Sequence, residues 1–216
     1  MKSLRIRNGI FSGFPEGVTT AHEDSITVVI LSASAISRSY STPDDGRPLC
    51  WSVDTATPSM DIPEEDRQAT RCMDCPKNVR SGPNSGRPCK FFKRLAVVFD
   101  DDLTDVYQLQ IQANSIFGKK KSAHGYGLQA YTKLLLENAT ASATLCTRIK
   151  FDPETEMPKL LFSPVRPLEE NEITIVKKIM DSKKILEAID TNTHTGITAK
   201  ESPFNVEVSG YTITDS

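Results

Sequence analysis

The sequence has no uninterrupted hydrophobic run long enough to cross a bilayer. Its first residues, MKSLRIRNGIFSGFPEG, lack the apolar stretch that a secretion signal needs. We therefore expect a protein that makes no membrane contacts and works in a cytoplasm. Thiols stay reduced in that compartment, so clustered cysteines there indicate metal binding or catalysis more than disulfides. Hydrophobic residues make up 38% of the chain and tryptophan occurs once, which predicts a modest core.

The short motifs of common enzymes are also missing. The chain contains no GxxxxGKS/T phosphate loop, no nucleophile elbow and no HExxH pair. Its three histidines are scattered, at positions 22, 124 and 194. We expect a protein that is not an enzyme. The less favoured alternative is a magnesium-dependent nuclease built on Asp100, Asp101, Asp102 and Asp105, although neighbouring side chains in a turn diverge from one another.

Charge is unevenly distributed, although the formal net charge is only −2. The segment 71–94 contains seven basic residues and one acidic residue, a net charge of +6, which leaves −8 on the rest of the chain. A second basic run lies at 119–121, whereas acidic residues gather at 54–66, 100–105 and 152–172. A concentrated basic segment is typical of a surface that binds nucleic acid or another acidic partner.

Hydrophobic periodicity predicts a mixed α+β structure that is mainly β. In 106–112, tyrosine, leucine and isoleucine alternate with three glutamines, which is the pattern of a half-buried antiparallel strand. The order of strand, long insertion, strand, strand, helix, strand, strand, helix is typical of a five-stranded Greek-key barrel of the oligonucleotide-binding (OB) type. The expected strands are 25–31 (continuing to Tyr40), 91–99, 106–112, 142–151 and 159–165, and the expected helices are about 128–137 and 168–189.

These elements divide the chain into a domain and a tail. We expect one domain over 1–190, with a C-terminal helix and with an insertion at about 45–90 between its first two strands. The insertion is rich in proline, glycine and charge, so a hydrophobic core alone does not account for its folding. The polar tail, 191–216, contains one weak strand candidate at 204–208.

Four of the five cysteines have the spacing of a zinc site. Twenty-one residues separate Cys50 from Cys72, two separate Cys72 from Cys75, and thirteen separate Cys75 from Cys89. A Cys-x-x-Cys turn and two further thiolates complete a closed tetrahedron, so we predict one structural zinc ion per chain, whose binding stabilises the insertion. The alternatives are unrelated buried thiols, or a redox pair at Cys72 and Cys75. Cys146 lies within a predicted strand and is expected to be a core thiol.

Aromatic and basic residues beside the cysteines favour a surface for single-stranded nucleic acid, which stacks bases on flat side chains and neutralises phosphates with cations. Since adjacent side chains of a strand face opposite ways, either Phe91 or Phe92 must point away from the core. The alternative is that the aromatics fill the core beneath the insertion while the lysines are merely solvated. The expected DNA contacts are Arg38, Tyr40, Trp51, Lys77, Arg80, Arg87, Lys90, Phe91, Phe92, Lys93, Arg94, Tyr107, Lys119, Lys120 and Lys121.

Several segments resemble a group of bacteriophage zinc-containing single-stranded-DNA-binding proteins: CWSVD at 50–54, CMDCPKNV at 72–79, GRPCKFFKRLAVVF at 86–99 and VYQLQIQANSIFG at 106–118. The resemblance spans about 50–190. It implies an OB-type barrel with a zinc-stabilised insertion, which binds single-stranded DNA without sequence preference in phage DNA replication or recombination. It also implies the cytoplasm of an infected bacterial host, with phage replication or recombination proteins as partners. Homo-oligomerisation is left open.

The sequence departs from that family pattern in one feature that concerns partner proteins. A second class of function also remains open. Well-known replicative single-strand binders end in an acidic tail that recruits partners, whereas this sequence ends in SGYTITDS. The competing function is a zinc-stabilised protein-interaction module of a phage, whose basic segment contacts an acidic partner. The salt dependence of oligonucleotide binding distinguishes the two.

Overall fold

A computed structural model describes residues 1–7, 9–15, 17–41, 48–80, 82, 86–117 and 124–191. Over these residues the chain is a mixed α+β structure dominated by one curled, open β-sheet. The strands are β1 (Lys2–Arg7), β2 (Ile10–Ser12), β3 (Ser25–Ala33), β4 (Ser37–Ser41), β5 (Pro48–Ser52), β6 (Lys90–Phe99), β7 (Asp102–Gln112), β8 (Leu145–Phe151) and β9 (Leu160–Pro167). The α-helices are α1 (Ala113–Ile116), α2 (Leu128–Glu137), α3 (Glu170–Met180) and α4 (Lys183–Ile189). None of these helices is both long and apolar enough to span a membrane.

The sheet has the strand order β2-β1-β7-β6-β3-β8-β9, and β4 and β5 lie off this path. One side of β6 pairs with two strands in succession: its first residues pair with β4 and the rest with β3. The strand β5, which carries Cys50, pairs with β4. β1 runs parallel to β7, and every other described pair is antiparallel. The edge of β6 therefore connects the main sheet to the insertion that contains the cysteines.

The expected mixed α+β class is confirmed, with differences in detail. β3 pairs with β6 and β8, β6 pairs with β7, and β8 pairs with β9, which are pairings that an OB-type order contains. In the described part of the chain β7 does not pair with β9, and β1 lies at that edge of β7. The described residues form nine strands where five were expected, because the N-terminal residues add β1 and β2, the first expected strand divides into β3 and β4, and the insertion adds β5.

The C-terminal helix differs from expectation. The single helix expected over 168–189 is two helices, α3 and α4, separated at Asp181 and Ser182. Aspartate and serine compete with the helical backbone for hydrogen bonds and favour helix ends. The strand candidate at 204–208 and the rest of the tail beyond Thr191 lie outside the described residues.

Two of the hydrophobic clusters in the described part of the chain lie on opposite faces of the main sheet. Inside the curl, residues such as Val28, Leu95 and Leu109 pack with Tyr131 of α2, whose hydroxyl lies 2.7 Å from that of Thr147. On the outer face, α3 and α4 cover a second cluster. Its members are Val29, Leu31, Ala96, Val98, Leu103, Val106, Ala143, Cys146, Leu168, Val176, Ile185, Ala188 and Ile189.

The outer face of β6 and β7 changes from apolar to polar along its length. Ala96 and Val98 of β6 lie under the helices, whereas the same face continues as Arg94, Phe92 and Lys90. On β7 the glutamines at 108, 110 and 112 share this face, since they are the register partners of Ala96, Arg94 and Phe92. The helices end at the boundary, where the side chain of Gln108 donates to the carbonyl of Ala188 (3.0 Å). The polar half of this face is left uncovered by α3 and α4.

Candidate metal centre and nucleic-acid surface

The insertion brings four cysteines together, which we call the cysteine cluster: Cys50, Cys72, Cys75 and Cys89. Cys72 begins one short 3-10 helix, Cys72–Asp74, and Cys75 immediately precedes another, Pro76–Asn78. The amide of Cys89 donates to the carbonyl of Lys77 in this second turn (2.9 Å). Consecutive tight turns thus hold three of the cysteines near one another, while Cys50 comes from β5. All four side chains are buried, and none forms a disulfide.

All four thiols line one small cavity of about 20 Å³. A cavity of this size holds about one water-sized occupant. Burial raises the pKa of the Cys89 thiol to about 11 and also raises that of Cys50, and the neighbouring cysteines add to both shifts. These two thiols are therefore protonated at neutral pH unless a cation replaces the proton.

The residues around the cavity include the four cysteines whose spacing predicts a tetrathiolate metal site. Within the described ranges, no group of three or more histidine, cysteine, aspartate or glutamate side chains is arranged to hold a metal ion as it stands. The donor set is nevertheless four cysteines, which is the ligand set of closed structural zinc sites. Arg38 also lines the cavity, and its Nε is buried without a hydrogen-bond acceptor among the described residues. The thiolates of a metal-bound cysteine cluster would provide a hydrogen-bond acceptor for this N–H.

Arg38 joins the cysteine cluster to the sheet. It is only 2% exposed, so the expectation that it contacts DNA is corrected. Its guanidinium donates to the carbonyl of Cys72 (3.2 Å) and to the side-chain oxygen of Asn78 (2.7 Å), and it lies 4.2 Å from the centre of the Phe91 ring. Arg38 belongs to β4, so one buried cation ties both 3-10 turns to the sheet.

Beside the cysteine cluster, the uncovered half of the outer face contains a groove of about 220 Å³. We call it the polar groove. Lys90, Gln110 and Gln112 are exposed, and Phe92 is only 5% exposed. None of the residues that line the groove is acidic; they are Ser39, Ser41, Pro88, Lys90, Phe92, Gln110 and Gln112. The groove therefore offers a cation, amides, hydroxyls and an aromatic ring in one place.

Only some of the expected DNA contacts are accessible. Lys90, Arg80 and Arg87 are exposed, and Arg87 donates to the side-chain oxygen of Asn78 at 3.4 Å. Lys77 is half-buried, with its ammonium 4.9 Å from the centre of the Tyr40 ring. Lys119, Lys120 and Lys121 lie outside the described residues.

Other expected contacts are buried. Lys93 is 1% exposed and Tyr107 is 2% exposed, and both belong to the inner face, opposite the polar groove. Trp51 is buried and packs with Cys50 and Ile62. From these positions the three side chains do not reach a ligand at the surface, so these assignments are corrected.

Four aromatic and basic assignments remain, of which Tyr40, Phe91 and Arg94 are half-buried and Phe92 is buried. Phe91 is half-buried between Arg38 and Phe117, whose ring centre lies 6.0 Å away. Arg94 is half-buried and is held by the carbonyl of Asp190. Phe92 is the outward member of the Phe91–Phe92 pair and lines the polar groove, where little of its ring is exposed.

The sequence analysis did not assign the groove residues Ser39, Ser41, Gln110 and Gln112. A signal was present, because the glutamines alternate with Tyr107, Leu109 and Ile111 along β7. The apolar members of that alternation are buried inside the curl. Their polar neighbours therefore indicate the solvent-facing side.

The aspartates around the β6–β7 turn bind different partners. Asp100 accepts from Arg166 (2.5 Å) and from the thiol of Cys146 (2.8 Å), while Asp105 pairs with Lys2 (2.5 Å). Asp101 accepts hydrogen bonds from Thr19 and Thr20, and Asp102 accepts from Thr104. The four carboxylates do not converge on one point. Cys146 is buried in the core, as its position in a predicted strand suggested.

Comparison with known proteins found no family model, no curated protein and no solved structure that matches this chain. The function is therefore inferred from the cysteine cluster and the polar groove.

Proposed function

We propose that the protein is a single-stranded-DNA-binding protein that holds the DNA strand along the polar groove. The observation that carries this proposal is the groove itself, an uncovered region of the sheet where one cation, Lys90, lies among amides, hydroxyls and the edge of an aromatic ring. Surfaces that bind single strands pair a cationic path for the phosphates with flat side chains for the bases. Lys90 provides the cationic group, and Phe92 of the same strand lines the groove with only 5% of its surface exposed.

The charge around the groove supports an anionic ligand. Lys90 has no carboxylate partner among the described residues, and Arg80 and Arg87 lie exposed in the segment that leads to it. These residues belong to the segment with a net charge of +6 in a chain whose total is −2. A local positive field of this kind attracts a polyanion and releases its counterions on binding.

We further propose that the cysteine cluster binds one structural zinc ion. Four buried cysteines around a cavity of about 20 Å³ support this assignment. When bound, the ion supplies cross-links between β5, the 3-10 turns and the start of β6. A site closed by four thiolates has no open position for a substrate, so its contribution is to folding.

We propose a phage setting for this activity. The resemblance of segments such as 72–79 and 86–99 to phage proteins supports an OB-type barrel that acts in phage DNA replication or recombination, in the cytoplasm of the infected bacterium. The strand pairings of β3, β6, β7, β8 and β9 are compatible with such a barrel.

The test is a titration of the purified protein, with its zinc content measured, against single-stranded and duplex oligonucleotides at several salt concentrations. We expect tighter binding to the single strand and an affinity that falls as salt rises. Lys90→Gln should weaken binding and lower the slope of log K against log salt by about one. The matched control is Lys133→Gln, which makes the same charge change on the exposed face of α2. This control should leave the affinity and the salt slope unchanged.

Two results would contradict the proposal. No binding to oligonucleotides at low salt would favour the protein-interaction module instead. Equal effects of Lys90→Gln and Lys133→Gln would place the DNA surface elsewhere. For the metal, a purified protein without stoichiometric zinc, which also folds equally well in a strong chelator, would exclude a structural ion.

A further inference from the structure

Arg38 reaches the cysteine cluster from β4, a strand whose residues face two different sites. Arg38 and Tyr40 line the cavity shared by the four thiols, whereas Ser39 and Ser41 line the polar groove. This division follows from the alternation of side chains along a strand. Among the described residues that line the cavity, Arg38 is the only one with a basic side chain. Its positive charge therefore lies on the side of the thiols and not on the proposed DNA surface.

The guanidinium of Arg38 is held in place, and one of its N–H groups is left over. Nη1 donates to the carbonyl of Cys72 (3.2 Å), Nη2 donates to Oδ1 of Asn78 (2.7 Å), and Cζ lies 4.2 Å from the centre of the Phe91 ring. Because the group is planar, these contacts also fix the direction of the Nε–H. The Nε is buried and has no acceptor among the described residues. An unsatisfied donor destabilises a folded protein, which favours an acceptor that forms when a ligand binds.

A metal ion at the cysteine cluster would create that acceptor. Protonated thiols accept hydrogen bonds weakly, whereas metal-bound thiolates are anions and accept them well. Four thiolates around one divalent ion also leave an excess of two negative charges. Burying uncompensated charge is costly, and apart from the cysteines the other described residues of the lining, such as Tyr40, Trp51 and Gln68, are neutral. Arg38 is therefore placed to offset one of the two charges.

We infer that Arg38 is a positioning residue of the metal centre, whose Nε–H donates to a metal-bound thiolate and whose charge offsets part of the negative charge of the cluster. The inference rests on the proposed structural zinc ion. It goes beyond that proposal because it assigns a residue outside the four ligands that raises the affinity for the ion. Hydrogen bonds to ligand side chains orient the ligands and contribute to metal affinity in metalloproteins generally.

The first test uses the wild-type protein, so that no substitution disturbs the fold. The cluster is loaded with an NMR-active isotope of cadmium, which thiolates bind in place of zinc, and the arginine side chains are isotopically labelled. We expect scalar coupling between the metal and the Nε–H proton of Arg38, transmitted through the hydrogen bond and the sulfur. A charge that is merely nearby does not produce such a coupling. Its absence in a fully loaded protein would overturn the inference.

The second test measures what Arg38 contributes to the retention of the ion. Arg38→Met removes the charge and the donor but keeps a long, unbranched side chain, and Arg38→Lys restores the charge. We expect Arg38→Met to weaken zinc affinity, measured by competition with a chelator, about tenfold to hundredfold, which is the usual effect of losing a partner of a metal ligand. Arg38→Lys should recover part of this loss. The matched control is Arg80→Met, the same change at an exposed position of the insertion, which should leave zinc affinity unchanged.

A loss of affinity alone does not separate this role from a general loss of stability, because metal binding and folding are linked. The sulfur-to-cobalt charge-transfer band of the cobalt-loaded protein does separate them, since its wavelength depends on the electrons of the sulfur atoms. A hydrogen bond to a thiolate stabilises those electrons. The band of Arg38→Met should therefore move to longer wavelength than that of the wild type, while the ligand-field bands keep the pattern of a tetrahedral site. An unmoved band would show that Arg38 supports the fold only.

The outcomes keep the inference apart from the metal site on which it rests. If the wild-type protein binds neither zinc nor cadmium stoichiometrically, the proposed metal site fails and the inference fails with it. If it binds a stoichiometric ion without coupling to Arg38, or if Arg38→Met and Arg80→Met retain zinc equally well, only the inference is overturned. Should Arg38→Met fail to fold, the coupling in the wild-type protein decides alone.

Discussion

The structure predicts that Arg38 is one of the most costly residues to replace, although it is basic and lies in a chain proposed to bind DNA. Arg38→Ala removes two hydrogen bonds from a charged donor, to Cys72 and Asn78, each contributing about 1.5–3 kcal/mol. It also removes a buried cation–π contact with Phe91, which contributes about 2 kcal/mol. Part of this loss of stability is offset, because Arg38→Ala also removes the free-energy cost of burying a charged guanidinium. We expect a net loss of about 3–5 kcal/mol in the free energy of unfolding.

The assay is urea unfolding of the purified protein, combined with hydrogen exchange of the amides in the two 3-10 turns of the cysteine cluster. The amides of Asn78 and Cys89, which donate to the carbonyls of Cys75 and Lys77, should lose protection first, because Arg38 ties those turns to the sheet. Arg80→Ala is the control, since that side chain is exposed and the change should cost little. A loss below about 1 kcal/mol for Arg38→Ala, or an equal loss for Arg80→Ala, would refute the reasoning.

Two further predictions concern pH. Burial lowers the pKa of Lys93 from 10.5 to about 8, so the folded state releases this proton more readily than the unfolded state, and wild-type stability should rise between pH 8 and 10.5. Lys93→Met should abolish that rise and increase the free energy of unfolding by up to about 3 kcal/mol at neutral pH. A variant that is less stable than wild type at neutral pH would contradict the lowered pKa of Lys93. Hydrogen bonds from Arg166 lower the pKa of Glu172 from 4.5 to about 2, so its contribution is complete above pH 4.5 and is lost as the pH falls towards 2. The free energies of unfolding of Glu172→Gln and wild type should therefore become equal near pH 2. A constant difference at all pH values would show that the Arg166–Glu172 ion pair does not cause the difference in stability.

Local patterns in the sequence predict part of the fold. The β6–β7 hairpin and α2 follow from alternation and from helical spacing, because neighbouring residues in the chain form those contacts. β1 could not be predicted in this way, since it pairs with β7, which lies about one hundred residues away in sequence.

In the candidate site, too, the sequence predicts the features that depend on neighbouring residues and misses those that depend on distant ones. The cysteine spacing predicts that four thiols meet, and in the structure they line one cavity. Alternation along β6 establishes that Phe91 and Phe92 face opposite ways, but it does not say which face is the core. Both faces of β6 are buried over residues 95–99, one inside the curl and one under α3 and α4. Because the sequence pattern does not distinguish the two faces, it does not show that Lys93 belongs to the inner face, and its charge alone suggests a DNA contact.

The position of Cys89 connects the cysteine cluster to the polar groove in a specific way. Cys89 immediately precedes Lys90, the first residue of β6 and the exposed cation that lines the groove. Asn78 accepts hydrogen bonds from both Arg38, at the cluster, and Arg87, on the approach to the groove. An ion bound by the four cysteines would therefore fix the residue from which β6 starts and, with it, the register that places Phe92 beside Gln112. Such an ion would contribute to the proposed DNA binding without touching DNA, because it would determine where the groove begins.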